Sequence, residues 1–418
     1  MKIASDILCI HYYYPPIRSG GVLRNYYMSR AFAQMFDRVH IITTSNVDVM
    51  AQEELPLPDN VIIYKASTKD FRSVVTSGNH ISMSRKNSAL FKALSKLKKT
   101  LPFHFYLDEG GQGYIKSAIK IGKEIIEKHD VKHIYSSFMP YADHKIASKV
   151  KSEFPKKVKW YADFRDLQVE PEYKNIYFEG WNKRQERKIL SGAEKVSTIS
   201  EGLAKHLRGL HPKVISLPRG IIMREERKSV SNVFTMVYTG SLFYDYRDGK
   251  SVVSEVKRFI ENRNISPDTF QFVYAGREGE IWEKWFEEVG IKDYLDNRGF
   301  VARKEALGLQ NDAGVLLLLT SSSDEHQGVF TGKLFEYLET GNPVMNYING
   351  IKDEEFEELF RTTDAGDIFY PDTLGKIGER LDYYYGLWEK KELWKMTEAG
   401  LAARKGMGWL SRAGELMK

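Results

Sequence analysis

The chain has one cysteine, Cys9, among 418 residues. A single thiol excludes an internal disulfide framework and any zinc site built from cysteines. Cys9 lies in the apolar run DILCIH, which reads as a buried structural thiol rather than a nucleophile. The scarcity fits a reducing compartment. Long apolar runs are missing too. The strongest, GVLLLLT at 314–320, is far below the roughly 20 residues a membrane span needs. At the N-terminus Lys2 stands before DILCI, but Asp6 interrupts the apolar run and HYYYPP follows it, so it reads as a first strand and its loop rather than a signal peptide. Charge of one sign is also scarce: the net charge is only +6. Such an excess favours anionic partners weakly and is no argument for nucleic acid.

Several catalytic signatures are absent. No GxGxxG follows the first strand, which disfavours a dinucleotide dehydrogenase. GVFTGKL (328–334) is one residue short of a Walker A loop and has leucine where a hydroxyl would hold magnesium. DGKS (248–251) lacks the upstream glycine. There is no Asp-x-Asp pair for a nucleotide-bound metal and no HExxH, and the histidines are scattered. No metal site and no cofactor are expected.

What is present is ordinary globular material, 42% hydrophobic and 28% charged, with length enough for two or three domains. Strand-like runs alternate with amphipathic helices: DILCIH, VHIITT (39–44), VIIY (61–64), HIYSS (133–137), VKWYAD (158–163), KVSTI (195–199) and KVISLP (213–218). The pattern restarts after MREERKSVS (223–231) with FTMVYTG (234–240), FQFVYAG (270–276), GVLLLLT, PVMNY (343–347) and DIFY (367–370). Helical stretches at 22–36, 115–128, 181–190, 250–262 and 281–289 fill the gaps. This alternation predicts an α/β fold with two parallel sheets, hence two Rossmann-like domains. The boundaries expected are 1–218, 219–395 and a helical end, 396–418.

Open parallel sheets bind ligands at the carboxyl ends of their strands. After the first strand comes HYYYPPIRSGGVLRN (11–25). Gly20 and Gly21 let backbone approach a ligand, and the helix that follows offers its N–H groups to an anion. After the fifth strand, ADFRDL (162–167) crowds Asp163, Arg165 and Asp166 into one turn. The second half opens with YTGSLFYDYRDGKS (238–251), where Gly240 and Ser241 end a strand and Arg247 and Lys250 lie just beyond. Arg277 follows the next strand, in YAGRE (274–278). Cations at consecutive strand ends suit a diphosphate without a metal. Finally, TGKLFEYLETGNPV (331–344) is a short helix behind Gly328, Thr331, Gly332 and Lys333. Glu336 lies near its start, and its plainest partner is Lys333 at i,i+3 spacing. A basic stretch, 84–99, carries an apolar stripe at helical spacing, suited to an anionic membrane surface or to docking on its own domain.

Taken in order, these loops resemble the GT-B fold glycosyltransferases, specifically family 4, over nearly the whole chain. YYYPPIRSGGVLRN is similar to that family's proline and double-glycine loop. SSFMPYADHKIASKV (136–150), WYADFRD, AEKVSTISEGLAKHL (193–207), ISLPRGI (215–221), YTGSLFYDYRDG and GVFTGKLFEYLETGNPV follow in the family's order. The resemblance implies two Rossmann-like domains facing across a cleft, with a C-terminal helix crossing back to the first. It implies a nucleotide-diphospho sugar donor, UDP-linked by frequency, and transfer with retention to a glycan or lipid-linked acceptor. It makes Glu336 the ribose-binding carboxylate, the second of a Glu, seven residues, Glu motif.

The donor-binding set is then Gly20, Gly21, Gly240, Ser241, Arg247, Lys250, Arg277, Gly328, Thr331, Gly332, Lys333 and Glu336. Asp163, Arg165, Asp166 and His144 fall on the catalytic and acceptor side. The first glutamate of the motif is missing, because Gly328 stands there; Asp324 or Glu325 of the preceding loop, or backbone N–H groups of 328–332, are the substitutes. PRG (218–220) replaces the usual Pro-Asn-Gly. The biology implied is surface polysaccharide or glycolipid synthesis in the cytoplasm, peripheral on the inner membrane face. An epimerase of the same fold and a catalytically inactive nucleotide-sugar or glycan binder remain as alternatives.

Overall fold

The computed structural model describes the chain except residues 1, 18–19, 48–53, 68–92, 94–95, 108–109, 170–175, 226–228, 243–246, 325–326 and 329. Most of the basic stretch 84–99, and with it the membrane-contact expectation, lies outside the described residues, as does Glu325. No helix among the described residues is long and apolar enough to cross a membrane.

The chain divides into two compact units, Met1–Gly220 with Trp409–Lys418, and Ile221–Gly408. The first contains β1 (Asp6–Ile10), β2 (Val39–Thr44), β3 (Val61–Ala66), β4 (Val131–Ser137), β5 (Lys159–Phe164), β6 (Lys195–Thr198) and β7 (Val214–Ser216). They form one sheet in the order β3-β2-β1-β4-β5-β6-β7, with every pairing parallel. A parallel sheet is covered on both faces, so its strands read as unbroken apolar runs whose alternate residues enter two cores. In β1, Leu8 and Ile10 join the core on one face and Ile7 and Cys9 the core on the other. The helices that cover it include α1 (Gly20–Met35), α2 (Gln112–Lys128), α3 (Ala142–Glu153), α4 (Glu179–Leu190) and α5 (Glu201–Arg208). Ser200 caps α5 by accepting from the Leu203 N–H, as its Ser-Glu start predicts.

The second unit repeats the plan. Its strands are β8 (Phe234–Thr239), β9 (Phe270–Ala275), β10 (Leu295–Asn297), β11 (Val315–Ser322), β12 (Val344–Gly350) and β13 (Gly366–Phe369). The order is β10-β9-β8-β11-β12-β13, again parallel throughout. Val315, Leu317 and Leu319 of β11 enter one core, and Leu316 and Leu318 the other. Its helices include α6 (Gly249–Arg263), α7 (Gly279–Glu288), α8 (Arg303–Asp312), α9 (Gly332–Leu338), α10 (Glu354–Thr363), α11 (Lys376–Glu389) and α12 (Glu398–Gly406).

Both orders reverse direction from the first strand of the unit to the fourth, between β1 and β4 and between β8 and β11. This is the Rossmann pattern, and it opens a crevice at the carboxyl ends of those strands. Two details differ from expectation. β10 is an edge strand of only 3 residues, too short to show an apolar run. The stretch 396–418 is two helices rather than one. Arg404 of α12, fully buried, donates to the carbonyls of Thr363, Leu338 and Asp364 within the second unit. The last helix, α13 (Trp409–Met417), packs in the first unit, with Trp409 stacked on Tyr27 at 5.5 Å. Gly220 admits that ring: a Cβ there would lie 2.5 Å from it.

Candidate functional site

In the first unit, the ends of β1, β4 and β5 hold a charged cluster around Asp163. This carboxylate is fully buried. It accepts from Arg24 Nε and Nη2, both at 2.8 Å, and from Ser197 Oγ at 2.8 Å. Burial alone would raise the Asp163 carboxyl; the Arg24 charge and these bonds overturn that and hold it below its usual range. Arg24 comes from α1 and also reaches the Leu217 carbonyl, so Asp163 ties α1 to the β5, β6 and β7 region. Geometrically it is a locked hub, with its acceptor capacity used inside the protein.

Arg165, one strand turn on, donates through Nε to the Phe138 carbonyl at 2.7 Å. Its guanidinium lies against the start of α1: a Cβ on Gly21 would fall 2.1 Å from Arg165 Nη1. Gly21 is therefore needed for this close approach, and the first N–H groups of a 16-residue helix share a neighbourhood with a guanidinium. Asp166 is exposed.

His144 lies deeper than a substrate contact requires. It is fully buried on α3 and packs against Phe164 and Trp160. Trp160 Nε1 donates to Ser136 Oγ at 2.7 Å, and Ser136 Oγ shares a hydrogen bond with His144 Nδ1 at 2.8 Å. Burial lowers the His144 pKa to about 3, so the ring is neutral. Sequence reasoning did not single out His11. It follows β1, is fully buried, stacks on Tyr14 at 5.9 Å, and has both ring nitrogens without a partner. Burial and then Arg165 push it down to about 3. Its only signal was its position at the end of the first strand.

In the second unit the site centres on Lys333. Its Nζ donates to Tyr238 Oη at 2.7 Å and to the Ser241 carbonyl at 2.6 Å. It also sits 4.0 Å from the centre of the Tyr238 ring. Gly240, at φ +87, makes the turn between these two partners. Burial and the Arg247 charge push Lys333 well below its usual range, against the pull of Glu278 and Glu336. Gly240, Ser241, Arg247 and Lys333 are thus brought together. Tyr337, one turn along α9, accepts from the Thr239 N–H at 3.0 Å and pins the helix to the end of β8.

Glu336 is not paired with Lys333. Its Oε1 accepts from Arg303 Nη1 at 2.8 Å, and both side chains remain partly exposed, 17% and 31%. Gly332 faces open space, with nothing within 4 Å of a Cβ placed there. The Thr331 hydroxyl is buried and makes no bond. α9 has only 7 residues, so its dipole is slight. Lys250 and Arg277 have turned to the surface: Lys250 pairs with Glu288 at 2.7 Å, and Arg277 lies over the exposed Phe300 ring at 4.8 Å.

Gly328 has φ +66, and its N–H donates to Asp353 Oδ2 at 2.8 Å. A Cβ at this position would meet the carboxylate of Glu355, with Oε1 at 2.1 Å. Among the described residues one other cluster, Asp6, His40 and His129, has metal-ligand proximity. It lies at the opposite end of the first sheet, and there His40 already bonds Asp6 and Tyr64.

No protein-family model and no curated protein matches the chain. Solved structures do. Sucrose-phosphate synthase from Thermosynechococcus elongatus superposes with a TM-score of 0.58 at 12% identity, covering 99% of this chain and 97% of that one. The lipopolysaccharide outer core galactosyltransferase WaaB gives 0.53 at 11%, covering 99% of each chain. The pneumococcal O-GlcNAc transferase GtfA, solved with UDP and GlcNAc, gives 0.52 at 11%, covering 99% and 98%. With coverage of whole chains on both sides, the chain has the GT-B fold of these glycosyltransferases.

Proposed function

We propose that the chain is a glycosyltransferase of the family 4 type. It moves a sugar from a nucleotide-diphospho donor, UDP-linked, to a hydroxyl of a glycan or lipid-linked acceptor with retention, in surface polysaccharide or glycolipid synthesis. The observation that carries this reading is Lys333, a half-buried lysine whose ammonium is held at the Gly240 turn beside the Arg247 charge. Burying one cation near another is unfavourable until an anion arrives, and a diphosphate at this turn relieves both penalties.

The chemistry follows from the charges. As the bond from the sugar to the diphosphate breaks, negative charge gathers on the leaving phosphate. Lys333 and Arg247 stabilise it, with Arg277 free to swing in from its exposed ring contact. These cations do the work that a divalent ion does where an Asp-x-Asp pair is present. Glu336, fixed by Arg303, presents its second oxygen to the ribose hydroxyls. In the first unit, the start of α1 at Gly20 and Gly21, with Arg165, is itself a set of N–H donors suited to an anion. Arg165 and the exposed Asp166 face the acceptor. Asp163 and His144 position this cluster rather than touch substrate, Asp163 by anchoring Arg24 and His144 by filling the space behind Phe164.

Calorimetric titration of UDP, GDP and ADP without added metal, on the wild type and on Lys333→Met, tests the reading. One nucleoside diphosphate should bind at micromolar strength. Lys333→Met should weaken it by about 1.5–3 kcal/mol, the range for a lost charged hydrogen bond. No binding of any of the three, or an unchanged affinity in Lys333→Met, would remove the donor site and leave only the fold.

A further inference from the structure

We propose that Asp6, His40 and His129 form a metal site at the amino end of the first sheet, suited to a divalent transition metal of the zinc type. The proposal stands apart from the nucleotide-sugar reading and does not depend on it. The sequence, with its scattered histidines, gives no sign of such a site, because the fold gathers its residues from distant segments.

Three elements bring the ligands together. Asp6 opens β1, His40 is the second residue of β2, and His129 ends α2. Asp6 and His40 are buried, at 6% and 0% exposed, and His129 is half-buried. Asp6 Oδ2 lies 3.0 Å from His40 Nε2, and one ligand atom from each of the three residues falls within 4.8 Å of the others. In a tetrahedral zinc site with bonds of about 2 Å, neighbouring ligand atoms stand about 3.3 Å apart. Asp6 and His40 are already near that spacing, so His129 is the ligand that has to turn inward. Its ring lies against that of His40, with centres 4.5 Å apart. The backbone holds the frame. The Asp6 N–H donates to the Asp130 carbonyl at 3.0 Å, and the His129 N–H to the Ile125 carbonyl at 3.0 Å.

The donor set has a chemical preference. Two imidazoles and one carboxylate suit zinc and its neighbours in the transition series, whereas magnesium and calcium take oxygen ligands. Three protein ligands leave a fourth position for water. A metal-bound imidazole directs its other ring N–H to an oxygen, which fixes the ring. His40 has that partner in place: its Nδ1 lies 3.1 Å from Tyr64 Oη on β3. With Nε2 bare towards the metal, Nδ1–H donates to the phenol oxygen. His129 stands at the carboxyl end of a 17-residue helix, where the helix dipole favours a cation.

Without a metal the group is a hydrogen-bonded pair, with Nε2–H of His40 on Asp6 and the Tyr64 hydroxyl on Nδ1. That arrangement satisfies His40 and gives His129 no part in it. His129 then has Arg38, whose Nη1 lies 3.5 Å from His129 Nδ1, the outer limit of a hydrogen bond. Arg38 is exposed and can swing away. It competes with a metal for this ring, so its removal separates the two readings.

Calorimetric titration of zinc chloride into the metal-stripped full chain tests the proposal, with the absorption of the cobalt(II) form as a second readout. One zinc per chain should bind at micromolar strength or tighter, and excess magnesium should not displace it. The cobalt form should show the visible bands of a tetrahedral site. His129→Ala, at a half-buried position, should keep the thermal midpoint of the metal-stripped protein, lose those bands and lose roughly tenfold or more in zinc affinity. Tyr64→Phe keeps every ligand and should still lose roughly tenfold, as for other outer partners of a metal-bound histidine. Arg38→Gln should bind zinc several-fold more tightly. Zinc at roughly a hundred times its Kd should raise the thermal midpoint of the wild type by a few degrees and leave that of His129→Ala unmoved. If the wild type takes up no stoichiometric zinc, or if His129→Ala binds zinc and cobalt as the wild type does, the proposal is overturned and the cluster is a hydrogen-bonded pair with a neighbouring ring.

Discussion

Replacing Asp163 by asparagine separates two roles for a residue that a strand-end motif marks as chemical. In the structure the carboxylate is buried and accepts two bonds from Arg24 and one from Ser197, all at 2.8 Å. Arg24 is itself only 5% exposed, and its other bond is to the Leu217 carbonyl at 3.2 Å. Asparagine accepts through one oxygen, so it strands a buried guanidinium with one good bond in place of two and no countercharge. Removing one partner of a buried pair costs about 3–5 kcal/mol. The retained oxygen places Asp163→Asn near the lower end, about 3 kcal/mol.

Urea denaturation followed by near-ultraviolet circular dichroism reads this directly. Arg24→Met should be costly too, but the double variant should cost clearly less than the two singles together, since neither charge is then stranded. The pH dependence has a definite sign. The folded Asp163 carboxyl titrates below its usual value, so its stabilisation is present above about pH 4 and is lost as pH falls through the lower, folded pKa. Asp163→Asn should lack that acid limb. If Asp163→Asn unfolds at the wild-type urea concentration yet abolishes sugar transfer, the hub argument is wrong and Asp163 acts on substrate.

Three further outcomes are expected. Burial and Arg247 lower the pKa of Lys333 in the free site, and a bound diphosphate raises it again. Binding should therefore take up protons on the alkaline side, below the ordinary lysine range, and weaken as pH rises further, measurable by calorimetry in buffers of different ionisation enthalpy across a pH series; no uptake at any pH would count against Lys333 as the phosphate cation. Glu186, 2% exposed, is pushed by burial up to about 8. Its folded form keeps a proton that the unfolded chain loses, so between pH 5.5 and 7.5 the wild type should lose roughly 2–3 kcal/mol relative to Glu186→Gln in paired urea titrations. Gly21→Ala places a methyl 2.1 Å from Arg165 Nη1. The flexible guanidinium can move aside, so thermal stability should hold within a few degrees while the apparent second-order rate of transfer falls about tenfold; an unchanged rate would detach Arg165 from the site.

The fold was legible because parallel strands covered on both faces write themselves as apolar runs. VHIITT, FTMVYT and VLLLL needed no tertiary information to be read as strands, and the restart of the pattern after 223–231 announced a second sheet. β10 escaped because an edge strand of 3 residues has no run to show. The loops at strand ends were legible as well, since their glycines and charges stand at fixed places in the alternation. Partner choice was not. Glu336 stands beside Lys333 in sequence but bonds Arg303, 33 residues away. Asp163 looked catalytic until Arg24, 139 residues away, was found holding it.

Periodicity and strand-end composition thus determined, from sequence alone, an α/β chain of two parallel sheets whose anion-seeking loops follow β1, β8, β9 and β11. These are local properties, set by the spacing of apolar side chains and by the backbone freedom of glycine. Tertiary structure alone decided which charges are spent inside the protein and which remain for a ligand. Asp163 is locked and His144 sealed, whereas Lys333 stands half-buried at a turn beside the Arg247 charge. Burial and pairing are relations between distant segments, and a side chain's charge has no fixed meaning until its neighbours and its distance from water are known.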